Sequence, residues 1–242
     1  SEHQKNSYRK QNSSALMRIA IIDYDLGNIR SILSAFKNQG ASIFLTNNKH
    51  EILQSDGVIL PGVGAFKHGM DSLKKYDLVD TINEYIQTGK PFMGICLGMQ
   101  MLFDESEEFG NTLGLGLIPG KVIKLPTKDV NSEKLPHISW NELNCVENKW
   151  FGTILEDLNE GTDMYFVHSF VAQPENEGNI LSSTEYSGYS FCSSVIKDNI
   201  YGCQFHPEKS GKDGLKIILT MFRVDPKGSN KIPPALFWDP RR

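Results

Sequence analysis

The chain has 242 residues, 39% hydrophobic and 22% charged, which suits one α/β domain with a sizeable core. A net charge of −4 gives no broad basic footprint for nucleic acid, and no run of 18 apolar residues exists to span a bilayer. Four cysteines, at 96, 145, 192 and 203, are too few for a disulfide framework and form no CxxC pair, as expected of reduced thiols in a cytoplasmic protein.

Residues 1–16 are polar, lack an apolar signal segment and are expected to lie outside the fold. Arg18–Asp23 is a short apolar run that fits a strand buried on both faces. After the loop YDLGN, the spacing of Ile29, Ile32, Leu33 and Phe36 predicts a helix over 29–39, stopped by Gly40. Ala41–Leu45 and Gly57–Leu60 read as the next strands, the second running into PGVGAF. An amphipathic helix over 77–88 ends at Gly89, a fourth strand covers Pro91–Ile95, and a helix is expected over Leu97–Phe103. This alternation predicts βαβ units with right-handed crossovers. From 116 to 203 the pattern changes to short strands, at Lys121–Leu125, Met164–Val167, Ile180–Ser183, Tyr189–Ile196 and Tyr201–Gln204. Gly211–Phe222 is the last helix, and residues 223–242, rich in Pro, Gly and charge, read as a tail. The expected fold is therefore a single α/β domain over 17–222, an open, mostly parallel sheet with helices on both faces.

PFMGICLGMQMLF carries the strongest chemical signal. A buried strand ends at Cys96, which is flanked by Gly94 and Gly98, and a helical pattern follows at once: a nucleophile elbow with cysteine in place of serine. The sharp turn needs small neighbours, and free amides at a helix start favour a thiolate and can hold an oxyanion. Most free cysteines are small buried hydrophobes, and that reading suits Cys145, Cys192 and Cys203. For Cys96 the paired glycines at a strand–helix junction reverse the odds.

A thiolate enzyme needs a histidine as acid and base. His206, in YGCQFHPEKSG, follows a short apolar strand and precedes a proline that favours extended backbone. In an extended segment His206 and Glu208 point to one side, about 6.6 Å apart by strand rise, so the carboxylate can orient the imidazole. The tripeptide alone would also fit an exposed turn. His168, in YFVHSF, is the competing base but has no neighbouring carboxylate, and ranks second. The glycines of LPGVGAF would suit backbone amides presented to an oxyanion, and would equally suit a tight strand–helix turn.

The ordered segments MRIAIIDYDLGNIRS, LPGVGAF, PFMGICLGMQMLF, GLGLIPGKV, LPHISWNEL, YFVHSF and GCQFHPEKS resemble the glutaminase subunits of imidazole glycerol phosphate synthase. These are class I, triad-type glutamine amidotransferases, and the resemblance covers roughly residues 17–222. It implies Cys96 as nucleophile, His206 as acid–base and Glu208 as its orienter. Backbone amides of Val63, Gly64 and Leu97 would form the oxyanion hole. Gln100 and Glu108 would hold the amino-acid end of L-glutamine, with His168, Ser169 and Phe170 lining the pocket. Asn28, Pro136, His137 and Trp140 would face a (β/α)8 cyclase, the heterodimer partner in histidine biosynthesis, and no metal or organic cofactor is implied. Two positions depart: Asp25 stands where the family commonly has glycine in DYGxGN, and Ser139 where PHxGWN has one. Rival readings are the same glutaminase feeding a surface-sugar amidotransferase, a Cys-His peptidase of similar fold, and a regulatory binding module. Glutamine turnover, or trapping of Cys96 by a glutamine-like electrophile, separates the last two from the first.

Overall fold

Side chains of strand β1 (Met17–Ile22) alternate between two apolar clusters, Ile19 and Ile21 entering one, Ala20 and Ile22 the other. Such a strand is buried on both faces, which requires helices above and below it. The computed structural model describes residues 17–35, 41–126, 135–147 and 149–222, and β1 lies inside its main sheet.

One half of that sheet runs β2 (Ala41–Thr46), β1, β3 (Gly57–Leu60), β4 (Phe92–Ile95), β14 (Ile200–Cys203), with every neighbouring pair parallel. From β14 the sheet continues antiparallel through β13 (Tyr189–Lys197), β11 (Phe170–Pro174) and β7 (Ile118–Lys124). Beyond these lie β5 (Phe103–Ser106), parallel to β7, and the edge strand β6 (Thr112–Leu113). Strand β12 (Ile180–Tyr186) pairs with β13 and with β9 (Asn144–Cys145), while β8 (His137–Glu142) and β10 (Asp163–His168) form a separate antiparallel pair.

Helices cover both faces of the parallel half, as expected. From α1 (Ile29–Ala35) and α6 (Gly211–Phe222), Ile32, Ile217, Ile218 and Phe222 join the cluster of Ile19 and Ile21. From α2 (Lys49–Leu53), α3 (Phe66–Lys75) and α4 (Leu78–Ile86), Ile52, Met70, Leu73, Ile82 and Tyr85 join the opposite one. No helix among the described residues is long and apolar enough to cross a membrane.

Two expectations change. The helix expected over Leu97–Phe103 is a single turn, α5 (Leu97–Gln100), and Phe103 already belongs to β5. Its apolar run carries no period that separates helix from buried strand, and pairing with β7 decides the matter. The helix expected over 29–39 is described to Ala35; Phe36 and Gly40, like the segments 1–16 and 223–242, lie outside the described residues.

Candidate active site

Strand β4 delivers Cys96 to the carboxyl edge of the parallel half. Its last rung is the Cys96 amide donating to the Cys203 carbonyl at 2.7 Å, after which φ swings to 54° and ψ to −109°. That region is strained for a residue with a side chain and persists only when its surroundings enforce it. The enforcement is close packing: a Cβ on Gly94 would lie 2.6 Å from the Gly98 carbonyl oxygen, and one on Gly98 would lie 1.9 Å from that of Leu60. Helix α5 is thereby pressed against β3 and β4, with the thiol 6% exposed beside the Val167 carbonyl and the Gln204 amide nitrogen, each 3.8 Å from Sγ.

His206 arrives from β14, the parallel neighbour of β4. Its amide donates to the Tyr165 carbonyl at 2.9 Å, and its own carbonyl accepts from the Ser210 hydroxyl at 2.7 Å, which fixes the backbone on both sides. His206 is extended, but Pro207–Lys209 folds into a 3-10 turn rather than continuing as strand. The side chains meet across this turn: Nδ1 lies 2.8 Å from Glu208 Oε1, both side chains being almost wholly buried. The second ring nitrogen, Nε2, is buried with no hydrogen-bond partner among the described residues. Burial alone would lower the pKa of this imidazole. The Cys96 sulfur and the Glu208 carboxylate beside it outweigh burial and raise the pKa from 6.5 to about 10.

The Pro61–Gly64 loop lies against the start of α5, since a Cβ on Gly62 would sit 2.8 Å from Leu97 Cβ and 2.9 Å from the Gly98 nitrogen. Val63 is partly exposed there and Gly64 takes φ +101°, a conformation that favours glycine. Tyr24, fully buried, donates its hydroxyl to the Pro61 carbonyl at the base of the loop. Glu108 reaches the other end, its Oε2 accepting from the Phe66 amide at 2.7 Å where α3 begins. The loop is thus packed through Gly62 on the start of α5, and Glu108 is tied to the first residue of α3 just beyond it.

Gln100, expected to hold the amino-acid end of the substrate, and His168, Ser169 and Phe170, expected to line its pocket, are hydrogen-bonded within the protein. Gln100 is buried and donates through Nε2 to the Phe170 carbonyl at 3.0 Å and to Gln204 Oε1 at 3.1 Å. The Ser169 carbonyl accepts from the Leu125 amide at 2.9 Å. His168 points Nδ1 at the Phe170 carbonyl, 3.0 Å away, and Nε2 at His137 Nδ1, 3.1 Å away. Burial first, then the neighbouring His137, lowers the His168 pKa to about 3, so this ring stays neutral. Gln204 escaped the sequence reading, although a glutamine inside the apolar run YGCQF is the kind of residue that marks a site.

Of the residues expected to face a partner, Asn28 is half-buried, Pro136 exposed and Trp140 52% exposed, its indole edge-on to Tyr165. His137 is a correction: it is 0% exposed and stacks on Tyr186 with ring centroids 3.9 Å apart. The pleat of β8 sends 137, 139 and 141 inward and 138 and 140 outward, so Ile138, not His137, stands beside Trp140 on the surface. Asp25 adopts φ 69°, the conformation a glycine would hold without strain, and its carboxylate accepts from Tyr76 Oη at 2.6 Å and Lys75 Nζ at 3.1 Å. Those two partners, Tyr76 foremost, lower its pKa.

Comparison with known proteins finds relatives over most of the chain. The model of the family "Glutamine amidotransferase class-I" matches residues 20–225. Imidazole glycerol phosphate synthase subunit HisH 1 of Legionella pneumophila (strain Lens) is 46% identical over 211 residues, 85% of this chain and 99% of that protein. Subunit HisH of Bacillus cereus (strain B4264) is 48% identical over 202 residues, 83% of this chain and 91% of that one. Its counterpart in Aquifex aeolicus is 45% identical over 84% of this chain and 94% of that one. A crystal structure of a glutamine amidotransferase superposes with a TM-score of 0.64 at 17% identity, covering 85% of this chain and 99% of that one, a likeness of fold.

Proposed function

The chain belongs to the class-I glutamine amidotransferase family, and from that premise we propose that it is the glutaminase subunit of an imidazole glycerol phosphate synthase. It hydrolyses L-glutamine to L-glutamate and ammonia and passes the ammonia to a (β/α)8 cyclase subunit in histidine biosynthesis. The observation that carries the chemistry is the strained elbow at Cys96 beside the buried His206–Glu208 pair. The subunit names of the relatives favour the histidine-pathway partner over a sugar amidotransferase.

In this reading the Cys96 thiolate attacks the side-chain carboxamide of glutamine, and the tetrahedral oxyanion is held by amides of Val63, Gly64 and Leu97. The carbon–nitrogen bond breaks as His206 Nε2 gives its proton to the departing ammonia, leaving a γ-glutamyl thioester. His206 then takes a proton from water, whose oxygen attacks the thioester and releases glutamate and the thiol. Glu208 keeps Nδ1 protonated and the ring aimed throughout. Glu108, at the outer rim, takes the α-ammonium of the substrate, while His168, Ser169 and Phe170 shape the pocket wall. Gln100 acts from behind, by holding the Phe170 carbonyl.

The Pro61–Gly64 loop can rearrange about its glycines, so the oxyanion hole need not be complete without the partner. Glutamate release is measured with and without the cyclase and its bound substrate. Stimulation of at least ~10-fold is expected, which needs about 1.4 kcal/mol of differential stabilisation. Equal rates in both conditions would end the switching idea, and stimulation by a sugar amidotransferase alone would reassign the pathway. In the complex, Cys96→Ala loses glutamine-dependent synthesis but keeps synthesis from added ammonium salts, because these bypass the thiol.

A further inference from the structure

Hydrogen bonds run without a gap from β8 to the nucleophile. At the outer end, His137 Nε2 lies 2.9 Å from Ser139 Oγ and 2.8 Å from Asn141 Oδ1. His137 Nδ1 meets His168 Nε2 at 3.1 Å, and His168 Nδ1 meets the Phe170 carbonyl at 3.0 Å. The same carbonyl accepts from Gln100 Nε2, which also donates to Gln204 Oε1, and Gln204 Nε2 ends the chain 3.8 Å from Cys96 Sγ. His137, His168, Gln100 and Gln204 are all buried, so none of these groups can trade its partner for water without opening the core.

Chemistry fixes the direction of the inner links. A carbonyl only accepts, so His168 donates from Nδ1, and as a neutral ring it must accept at Nε2. His137 therefore donates from Nδ1, and its Nε2 faces Asn141 Oδ1, an acceptor that also takes the Ser139 hydroxyl proton. At the thiol end, Gln204 spends its oxygen on Gln100, which leaves its amide protons for the sulfur. A carboxamide turned this way favours sulfur carrying negative charge.

We propose that Gln204 is a positioning residue for the Cys96 thiolate, and that His137 and His168 tie its orientation to strand β8. The strand's outward residues, Ile138 and Trp140, are exposed, while its inward residues 137, 139 and 141 make the outer end of the chain. A shift of β8 is thereby transmitted as a reorientation of the amide at the nucleophile. Ser139 lends this chain a hydroxyl where a glycine would offer none. The proposal rests on the glutaminase reading above.

A double-mutant cycle on the complex with cyclase and its substrate tests it. Gln204→Leu removes the inner amide; His137→Phe keeps a ring to stack on Tyr186 and Phe166 but removes both nitrogens. Each change is expected to lower kcat ~10-fold at little change in KM, and the double variant to lose about as much as the worse single one, because both interrupt one chain. If His137→Phe does not fold, Asn141→Ala takes its place, since Asn141 is only half-buried. Losses that multiply to ~100-fold, or an outer variant that lowers melting temperature with wild-type kcat, would overturn the proposal. The wild-type complex, run alongside, separates the two readings. Absent glutamate release there removes the glutaminase assignment and this chain with it, whereas active wild type with independent losses removes the chain alone.

Discussion

Gly98→Ala is the sharpest test of how the elbow is held together. The added methyl carbon would lie 1.9 Å from the Leu60 carbonyl oxygen and 2.9 Å from its carbon. Both are backbone atoms of β3, so no side chain can swing aside to make room. To bring the first contact to the 3.0 Å that real methyl groups tolerate, α5 and the end of β3 must part by about 1.1 Å. Leu60 runs directly into Pro61–Gly64, so the displacement moves the loop relative to Cys96. A misplacement of about 1 Å in a catalytic constellation costs on the order of 100-fold in rate. Overpacking costs about 1–3 kcal/mol of stability, a loss of roughly 2–12 °C in melting temperature at this size. Glutamate release from the complex should fall accordingly, while synthesis from ammonium salts stays near wild type. Gly69→Ala is the control, because its methyl would meet the flexible Met101 sulfur at 2.7 Å. Alanine there should keep activity, with stability within about 1 kcal/mol of wild type. Wild-type kcat in Gly98→Ala would refute the packing account of the elbow.

Glu208→Gln should lower kcat far more than it changes KM, because Glu208 touches the imidazole and not the substrate. Glu108→Ala should mainly raise KM; a reversed pattern in steady-state kinetics would mean that the two carboxylates have exchanged roles. His206, with its pKa raised from 6.5 to about 10, stabilises the fold in its charged form. That contribution is complete below pH 6.5 and is lost as pH climbs through about 10, so the urea-unfolding gap between wild type and His206→Gln should narrow across that window. A gap that widens instead contradicts the assignment. Trp140→Ala should weaken complex formation by titration with the cyclase and leave the melting temperature almost unchanged, since half the indole is exposed.

The parallel half of the fold was legible because its strands announce themselves. Gly57–Leu60 and Gly211–Phe222 appear with the expected bounds, and the other parallel strands differ by a residue or two. Strands buried on both faces are continuous apolar runs, and glycines mark where they stop. The other half was less legible for the opposite reason: β5, β6, β8, β9 and β11 mix polar with apolar residues instead of running continuously apolar, and tertiary pairing defines them more than local preference. At the candidate site, the placement of Cys96 at a strand–helix elbow and of His206 beside Glu208 could be expected from motif context, since each needs special neighbours in sequence. Gln204 could not, because its role depends on residues 100 and 170, far away in the chain. His137 shows a further limit: a motif can flag a strand without saying which of its faces each residue takes.

Why these residues meet follows from the sheet order. In open α/β sheets the carboxyl ends of the strands form the natural cleft. Here β1 ends in the loop carrying Tyr24, β3 in Pro61–Gly64, β4 in Cys96, and β14 in Gln204 and His206. Register does the rest. Cys203 pairs with Ile95 across β14 and β4, so the next residues, Gln204 and Cys96, are set side by side although 108 positions separate them in sequence. The sheet changes direction at this strand, for β14 runs parallel to β4 on one side and antiparallel to β13 on the other. Cys96, the proposed nucleophile, thus sits at a boundary. On its parallel side lies a rigid, doubly covered sheet that can hold a strained backbone. On its other side lie the antiparallel strands, among them β11 with Phe170 of the proposed pocket wall. β8, with the exposed Trp140, packs through His137 onto β12 and through β10 onto the turn after His206. A partner bound at Trp140 would therefore touch the antiparallel side of the site first. Under the proposal above, strain at Cys96 stays fixed by β3 and β4, while the Gln204 amide beside it is moved through β8.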